Sequence, residues 1–556
     1  MMHKHANKTI LSLVVSLFIL GSGFIAAQVP QIPDAQRLLQ EALTQEFPAP
    51  LTVPIEAQSL SDVTPGGAQV RVSTIEFEGI TQFSNDELLS VLGEEALGQE
   101  YDLGGLRALA NEISQFYRDA GFVFARAFIP AQTLTDGLLK IQVLEGRFGE
   151  VLVDSDDEVT IERVARYLSP LEPGAVIDNR TLQRTFAVLG DVPGLEVVPL
   201  INAGQTAGTG DVLVLANTDK TNSLRFTVDN HGNRSSGVYR GSFLFTTPRI
   251  LQFGDSLSIT GLASNDEQLG LISFDYSWPI GGAGVRAAAS HSRTSYNLGN
   301  LSEAISETKG GSENFGFRLT YPLVRTDTRD IQLNVAHQRK WLRTDTTFVS
   351  DQLRSERVET SLLPVGATWQ ERDSWLGGGL TQASVTWTLG YTKREAQVTL
   401  FADDVTHRDF FKTEIQAFRL QSLPFDRLDA RLFALVSTQF ANRDLDSSEQ
   451  FSLGGANAVR AYPQGESSGS QGWLTQLELR ASLGAVEPFV FYDSGHILGS
   501  DEEASSTLQG AGVGLRANWH SLNGNFAVAW KVDPQDATSD QRQRNPRAWF
   551  SLNYQL

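Results

Sequence analysis

From about residue 221 to the C-terminus, apolar and polar side chains alternate. In ISFDYSWP, Ile272, Phe274, Tyr276 and Trp278 fall on one side and Ser273, Asp275 and Ser277 on the other. DSLSITGLA sets Leu257, Ile259 and Ala263 against Ser256, Ser258 and Thr260, and ASVTWTLGY sets Ala383, Val385, Trp387, Leu389 and Tyr391 against Ser384, Thr386 and Thr388. A period of two is that of a strand whose faces meet different surroundings. A soluble sandwich would turn its apolar faces onto a shared core. Here the other face is rich in Ser, Thr, Gln and Asn, and aromatics gather at strand ends, the pattern of a barrel with lipid outside and water inside. Spread over 16 strands, the 336 positions after residue 220 of the 556 allow about 21 residues per strand and connection, where a tilted span needs roughly 9–11. The expectation is an all-β transmembrane barrel over 220–556, with about 16 antiparallel strands. Its last strand is WFSLNYQL, with Phe550, Leu552, Tyr554 and Leu556 on one face, and it must close against the first.

Upstream the period changes. Residues 70–146 read strand, helix, helix, strand, strand: RVSTIEFEG, SNDELLSVL, LRALANEISQFYRDAG, FVFARAFI and LLKIQVLEG. Residues 147–219 repeat that order in GEVLVDS, TIERVARYL, NRTLQRTFAVLGD, LEVVPLINA and GDVLVLANTD, so one α+β module occurs twice in tandem. Before them, 28–69 hold a short helix and a linker. In the helix, residues 34–46, Leu38, Leu39, Ala42 and Leu43 share a face; FPAPLTVPIEAQSLSDVTPGGA carries four prolines and no apolar period. At the start, a basic MMHKHANK, the apolar TILSLVVSLFILGSGFI and AAQ form a signal-peptide pattern over 1–27. Ala27 is the expected last residue before cleavage, and the mature chain lies outside the cytoplasm.

Charge and composition remove several function classes. Against 45 Lys and Arg stand 65 Asp and Glu, a net charge of −20, a field that argues against nucleic acid as a partner. With no cysteine there is no disulfide, thiolate nucleophile or thiolate metal site. GESSG, residues 465–469, spells G-x-S-x-G, but a glycine-rich loop precedes it and a strand follows, where a nucleophile elbow needs a strand before and a helix after. GAGVRA, residues 282–287, spells G-x-G-x-x-A and runs on as a strand, so it reads as a hairpin turn. DSDDE, residues 154–158, lacks the ligand spacing of a calcium loop. The expectation is no enzyme, no cofactor and no metal.

One segment breaks the strand rhythm. VRAYPQGE, residues 459–466, sits in a Gly/Ser-rich loop of about 454–472. Two segments on, EPFVFYDSG places Phe491, Asp493 and Gly495 on one strand face. A carboxylate cannot face lipid cheaply, so Asp493 faces the lumen and would welcome a cation. A guanidinium binds a carboxylate through two parallel hydrogen bonds. Arg460 folded inward would pin its loop to the wall through Asp493. With Arg460 exposed on the loop, Asp493 would simply line a wet pore. The pattern leaves both open.

Val459, Arg460, Ala461 and Tyr462, followed by Phe491, Asp493 and Gly495, resemble the V-R-G-[YF] loop-six motif and the F-x-D-x-G strand motif of the Omp85 superfamily. The tandem modules resemble its polypeptide-transport-associated (POTRA) domains. With an N-terminal helix, a proline-containing linker and two modules, the chain resembles the two-partner secretion transporters (TpsB) of the haemolysin and filamentous haemagglutinin type. IPAQTLTDGLLKIQVLEGRFG and FTVDNHGNRSSGVYRGSF are similar to that family too. The resemblance implies a protein of the outer membrane with its modules in the periplasm. It would export a large β-helical TpsA-type exoprotein after catching it unfolded, with helix 34–46 plugging the pore until then. Arg460 and its neighbours would sit inside the barrel against Asp493. Outer-membrane lipid, periplasmic chaperones and the barrel assembly machinery would be its other partners. The alternative within the superfamily is an assembly factor that inserts other barrels. Two positions depart from the pattern: Ala461 stands where the motif has Gly, and Leu556 where the usual last residue is Phe.

Overall fold

A computed structural model describes residues 60–556 apart from residues 62, 220, 299–304, 349–352, 399–403, 426–427, 501–503, 534–535 and 541. The signal-peptide pattern and the helix carrying Leu38, Leu39, Ala42 and Leu43 lie outside the described residues. No described helix is long and apolar enough to cross a membrane.

Both modules have one topology. In the first, Thr74–Glu78 pairs in parallel with Leu138–Leu144, which pairs antiparallel with Arg126–Phe128. Helices Asn85–Leu92 and Leu103–Asp119 cover the sheet. Ser84 and Glu87 cap the shorter helix reciprocally. The longer buries Leu106, Leu109, Ala110, Ile113 and Tyr117, a helical stripe laid on Ile75, Phe77, Leu139 and Ile141. In the second, Arg147–Asp154 pairs in parallel with Thr209–Thr218, which pairs antiparallel with Leu195–Ala203. Its helices are Glu158–Tyr167 and Asn179–Gly190, and Phe148, Val164, Leu182, Phe186 and Val214 fill its core. In each sheet the last strand lies in the middle.

Sixteen antiparallel strands then close into a barrel that runs from Ser223–Asp229 to Arg547–Gln555. Closure pairs Tyr554 with Phe226 and Leu552 with Val228. Leu556 extends it: its N–H donates to the Leu224 carbonyl at 2.9 Å and its carbonyl accepts from Leu224 at 3.2 Å. The terminal Leu therefore completes the seam through its backbone. The average of about 21 residues per strand and connection is shared unevenly. Five consecutive strands, from Ile305–Arg325 to Asp404–Phe425, run 20–22 residues, while the first has 7. On Ile305–Arg325 the outward apolar band is Phe315, Phe317, Leu319, Tyr321 and Leu323, about nine positions and so close to one bilayer crossing. Beyond it the wall continues with an outward register row of Glu313, Trp341, Glu359 and Lys393, three of the four charged.

The other ends of these strands meet the second module. Arg325 grips Asp191 with two bonds of 2.9 and 2.8 Å, and Arg184 donates to the Leu323 carbonyl at 2.9 Å. The GAGVRA turn belongs to this contact: a Cβ at Gly282 would lie 2.4 Å from the Arg166 carbonyl, and one at Gly284 2.8 Å from Val188. Asp157, in the DSDDE stretch, caps the helix Glu158–Tyr167 and reaches Arg249 at 3.3 Å. The module is thus docked at one mouth of the barrel.

Candidate functional site

Between strands Leu428–Ala441 and Gly472–Ser482 the chain does not leave the barrel. Phe451–Leu453 and Ser467–Gly469 pair antiparallel inside it, and this small ribbon carries the turn at Arg460. Gly454 and Gly455 have φ of +86° and +108°, and a Cβ on Gly455 would meet the Gln464 side chain at 1.8 Å, so glycine is required here. Hydrogen bonds from Gly455 to the Tyr462 carbonyl and from Tyr462 to the Val459 carbonyl, both 3.1 Å, shape the turn.

The Arg460 guanidinium donates to Asp493 through Nε at 2.8 Å and Nη2 at 2.6 Å, and its backbone N–H adds a third bond to the same carboxylate at 3.1 Å. Nη1 donates to Glu478 at 2.5 Å. Phe491 lies flat beneath, with its ring centroid 3.5 Å from Cζ, so the cation also rests on an aromatic face. Arg460, Asp493 and Glu478 are 5%, 0% and 4% exposed. These charges are out of water and depend on one another. Strand alternation supplies the geometry: Phe491, Asp493 and Gly495 point inward while Tyr492 points outward. Gly495 has a steric duty, because a Cβ there would meet Leu453 of the loop ribbon at 2.6 Å.

The rest of the motif is held as closely. Val459, Ala461 and Tyr462 are buried against Leu474, Phe489, Phe491, Leu508 and Ala529. The Tyr462 hydroxyl donates to the Asp533 carbonyl at 3.2 Å, Gln476 donates to the Ala458 carbonyl at 2.8 Å, and Trp549 Nε1 donates to the Arg460 carbonyl at 2.7 Å. Trp549 faces inward, so the last strand presents Leu552, Tyr554 and Leu556 outward, with Phe550 half-buried on the same face. Ala461 in place of Gly needs no special backbone: it is not among the residues with positive φ. Its methyl faces Gly510, where a Cβ would come within 2.6 Å. The larger residue on the loop is matched by the smallest on the wall.

Sequence reasoning missed the ions around this pair. Glu478 also accepts from Arg480 and Arg516, each at 2.8 Å. Arg516 reaches Glu487 at 3.2 Å, and Arg431 pairs with Glu487 as well. The signal was present, since period two in WLTQLELR puts Gln476, Glu478 and Arg480 on the inward face. No group of metal-ligating side chains occurs among the described residues. Ser467 of the G-x-S-x-G stretch lies in the ribbon paired with Leu453, away from any helix. The arrangement can fasten a loop inside a closed wall.

Comparisons with known proteins agree in extent. The profile of the family described as haemolysin secretion/activation protein ShlB/FhaC/HecB matches residues 208–517, and that of the ShlB-type POTRA domain matches residues 70–146. The heme/hemopexin transporter protein HuxB of Haemophilus influenzae strain 86-028NP is 27% identical over 84% of this chain and 83% of its own length. The outer membrane transporter CdiB of Dickeya dadantii strain 3937 is 24% identical over 81% and 82%. The solved structure of CdiB from Escherichia coli superposes with a TM-score of 0.70 at 20% identity, covering 94% of this chain and 97% of its own.

Proposed function

This chain belongs to the ShlB/FhaC/HecB haemolysin secretion/activation family, and we propose that it catches one unfolded partner exoprotein in the periplasm and passes it out through its barrel. The protein is a two-partner secretion transporter of the outer membrane, with its N-terminal modules in the periplasm. The observation that carries the reading is the closed wall with a loop fastened inside it. A lumen lined by inward Ser, Thr and Gln and crossed by a docked loop suits a gated conduit.

The finer steps follow from the chemistry of each part. The partner is a large β-helical exoprotein of TpsA type. It binds by adding a strand to an open sheet edge of a module. Leu195–Ala203 is such an edge, with Val198 and Leu200 exposed. Helix 34–46, through Leu38, Leu39, Ala42 and Leu43, occupies the pore between rounds. Val459, Arg460, Ala461 and Tyr462, seated on Phe491, Asp493 and Gly495, keep the loop docked. Phe550, Leu552, Tyr554 and Leu556 form the strand read by the barrel assembly machinery after chaperones deliver the chain. No bound cofactor enters the cycle, and folding of the partner outside drives it.

The test is co-expression with candidate exoproteins that carry an N-terminal secretion domain. The account requires one of them to reach the medium only when this chain is present. Retention of every candidate in the periplasm, with other barrels failing to assemble when the chain is removed, would favour the assembly-factor alternative.

A further inference from the structure

The loop is fastened at a second place, near where it leaves strand Leu428–Ala441: Gln439 donates to the Glu449 carbonyl at 3.0 Å. Glu449, in the short turn Ser447–Glu449, is 4% exposed, and its carboxylate accepts from Lys340 at 2.8 Å and Lys412 at 3.1 Å. Lys340 lies on strand Arg329–Phe348, six strands round a sixteen-strand wall from the strand that carries Asp493. Lys412 lies on Asp404–Phe425 and also reaches the half-exposed Glu414 at 3.4 Å. Both lysines are buried, at 6% and 7% exposure. Beside them Leu445 seats on Leu362 and Phe410.

We propose that Glu449 is a second positioning residue for export: it ties the end of the loop far from Arg460 to the wall strands that carry Lys412 and Lys340, and this end lets go when the partner passes while the loop pivots about Arg460. The inference rests on the export reading above.

The two ends differ in kind. At Arg460 a planar guanidinium makes two parallel bonds to Asp493 and a third to Glu478, stacked on Phe491 and surrounded by the buried Val459 and Tyr462. At Glu449 two ammonium groups touch one carboxylate, each at a single point. An ammonium is a compact, strongly hydrated charge on a flexible stem, whereas a guanidinium is weakly hydrated and locked by its fork. Water or a polar peptide entering the lumen therefore re-solvates the lysine end at lower cost. Burial makes that end bistable, because a carboxylate out of water needs its cations and a carboxylate released into water does not.

The absence of native cysteine allows a clean test in the full-length protein. Leu445→Cys places a thiol under the far end, and its labelling by a membrane-impermeant maleimide reports opening. Adding Glu449→Gln should raise the labelling rate at least tenfold, with unchanged heat-modifiable gel mobility as evidence of an intact barrel. In a second arm, Leu445→Cys with Leu362→Cys, which leaves Glu449 and both lysines in place, is joined by a short bis-maleimide. The unjoined double variant should export a co-expressed partner and the joined one should lose at least nine-tenths of that export. Equal labelling with and without Glu449→Gln would overturn the tie, and undiminished export by the joined form would overturn its release. Should the parent export no partner at all, the export reading fails, while the labelling arm still decides whether Glu449 holds the loop.

Discussion

Arg460→Ala removes the cation shared by two buried carboxylates, and the structure shows which of them suffers. Glu478 keeps Arg480 and Arg516, each at 2.8 Å. Asp493, with no exposed surface, keeps only the backbone N–H of residue 460 at 3.1 Å. Breaking a buried pair in this way costs about 3–5 kcal/mol, or a shift toward an undocked loop of about 10²-fold to about 4 × 10³-fold at about 1.4 kcal/mol per tenfold. The barrel itself is held by strand pairing that does not involve this side chain, so it still inserts. Pulsed proteolysis of cells or outer-membrane vesicles reads docking, and the partner in the medium reads export. The expected outcome is a protease-sensitive loop and crippled export with normal gel mobility. Asp493→Ala should act in the same direction. Replacing the pair by apolar side chains of similar volume, Arg460→Met with Asp493→Leu, should restore protease resistance, since such exchanges of buried ions are often neutral or stabilising. Full protease resistance and full export by Arg460→Ala would refute the reasoning.

Three further outcomes can be checked. Deleting residues 34–46 should raise the ion conductance of the barrel in planar bilayers; an unchanged current would remove the plug. Gly510→Val should push Ala461 off the wall, because a Cβ there would lie 2.6 Å from the Ala461 methyl; export should fall, and adding Ala461→Gly should recover part of it. In the first module Glu145 is buried among donors. Burial alone would raise its pKa, but the Thr81 side chain and backbone, the Gln82 N–H and the Tyr117 hydroxyl outweigh that and hold it below the usual value. A depressed folded-state pKa stabilises above the unfolded value of about 4.3 and ceases to as pH falls through the folded one, so the hydrogen-exchange protection factors of this module, taken relative to the intrinsic rate at each pH, should fall below about pH 4.3, with a weaker pH dependence in Glu145→Gln.

Much of the architecture was legible because alternation is a local property. ISFDYSWP and ASVTWTLGY state their two environments in the order of their letters, and the repeat of strand, helix, helix, strand, strand needs no long-range knowledge. The loop was harder. Whether Arg460 faced solvent or Asp493 depended on a fold between segments some thirty residues apart, which no periodicity reports. Lys340, Lys412 and Glu449 were invisible for the same reason: each lysine occupies one inward position on a long strand, and only closure of the barrel brings both to one turn of the loop. An average per strand says nothing of how length is shared out. The wall from residue 305 to 425 rises past the bilayer on polar outward residues such as Glu359 and Lys393, leaving shorter strands elsewhere. The glycines of GAGVRA spelled a nucleotide signature by composition; their use is steric, giving the second module room at the barrel mouth.

The account stands or falls on the lumen being the path of the partner. Thr386 faces into the barrel and Trp387, 46% exposed, faces out, so one strand carries both reporters. Photocross-linkers placed singly at these positions, with the partner stalled in transit by a stably folded C-terminal fusion, compare the two directions. The account predicts an adduct between the partner and position 386 and none at 387. Adducts at 387 alone would mean that the polypeptide passes outside the wall, and would contradict the account.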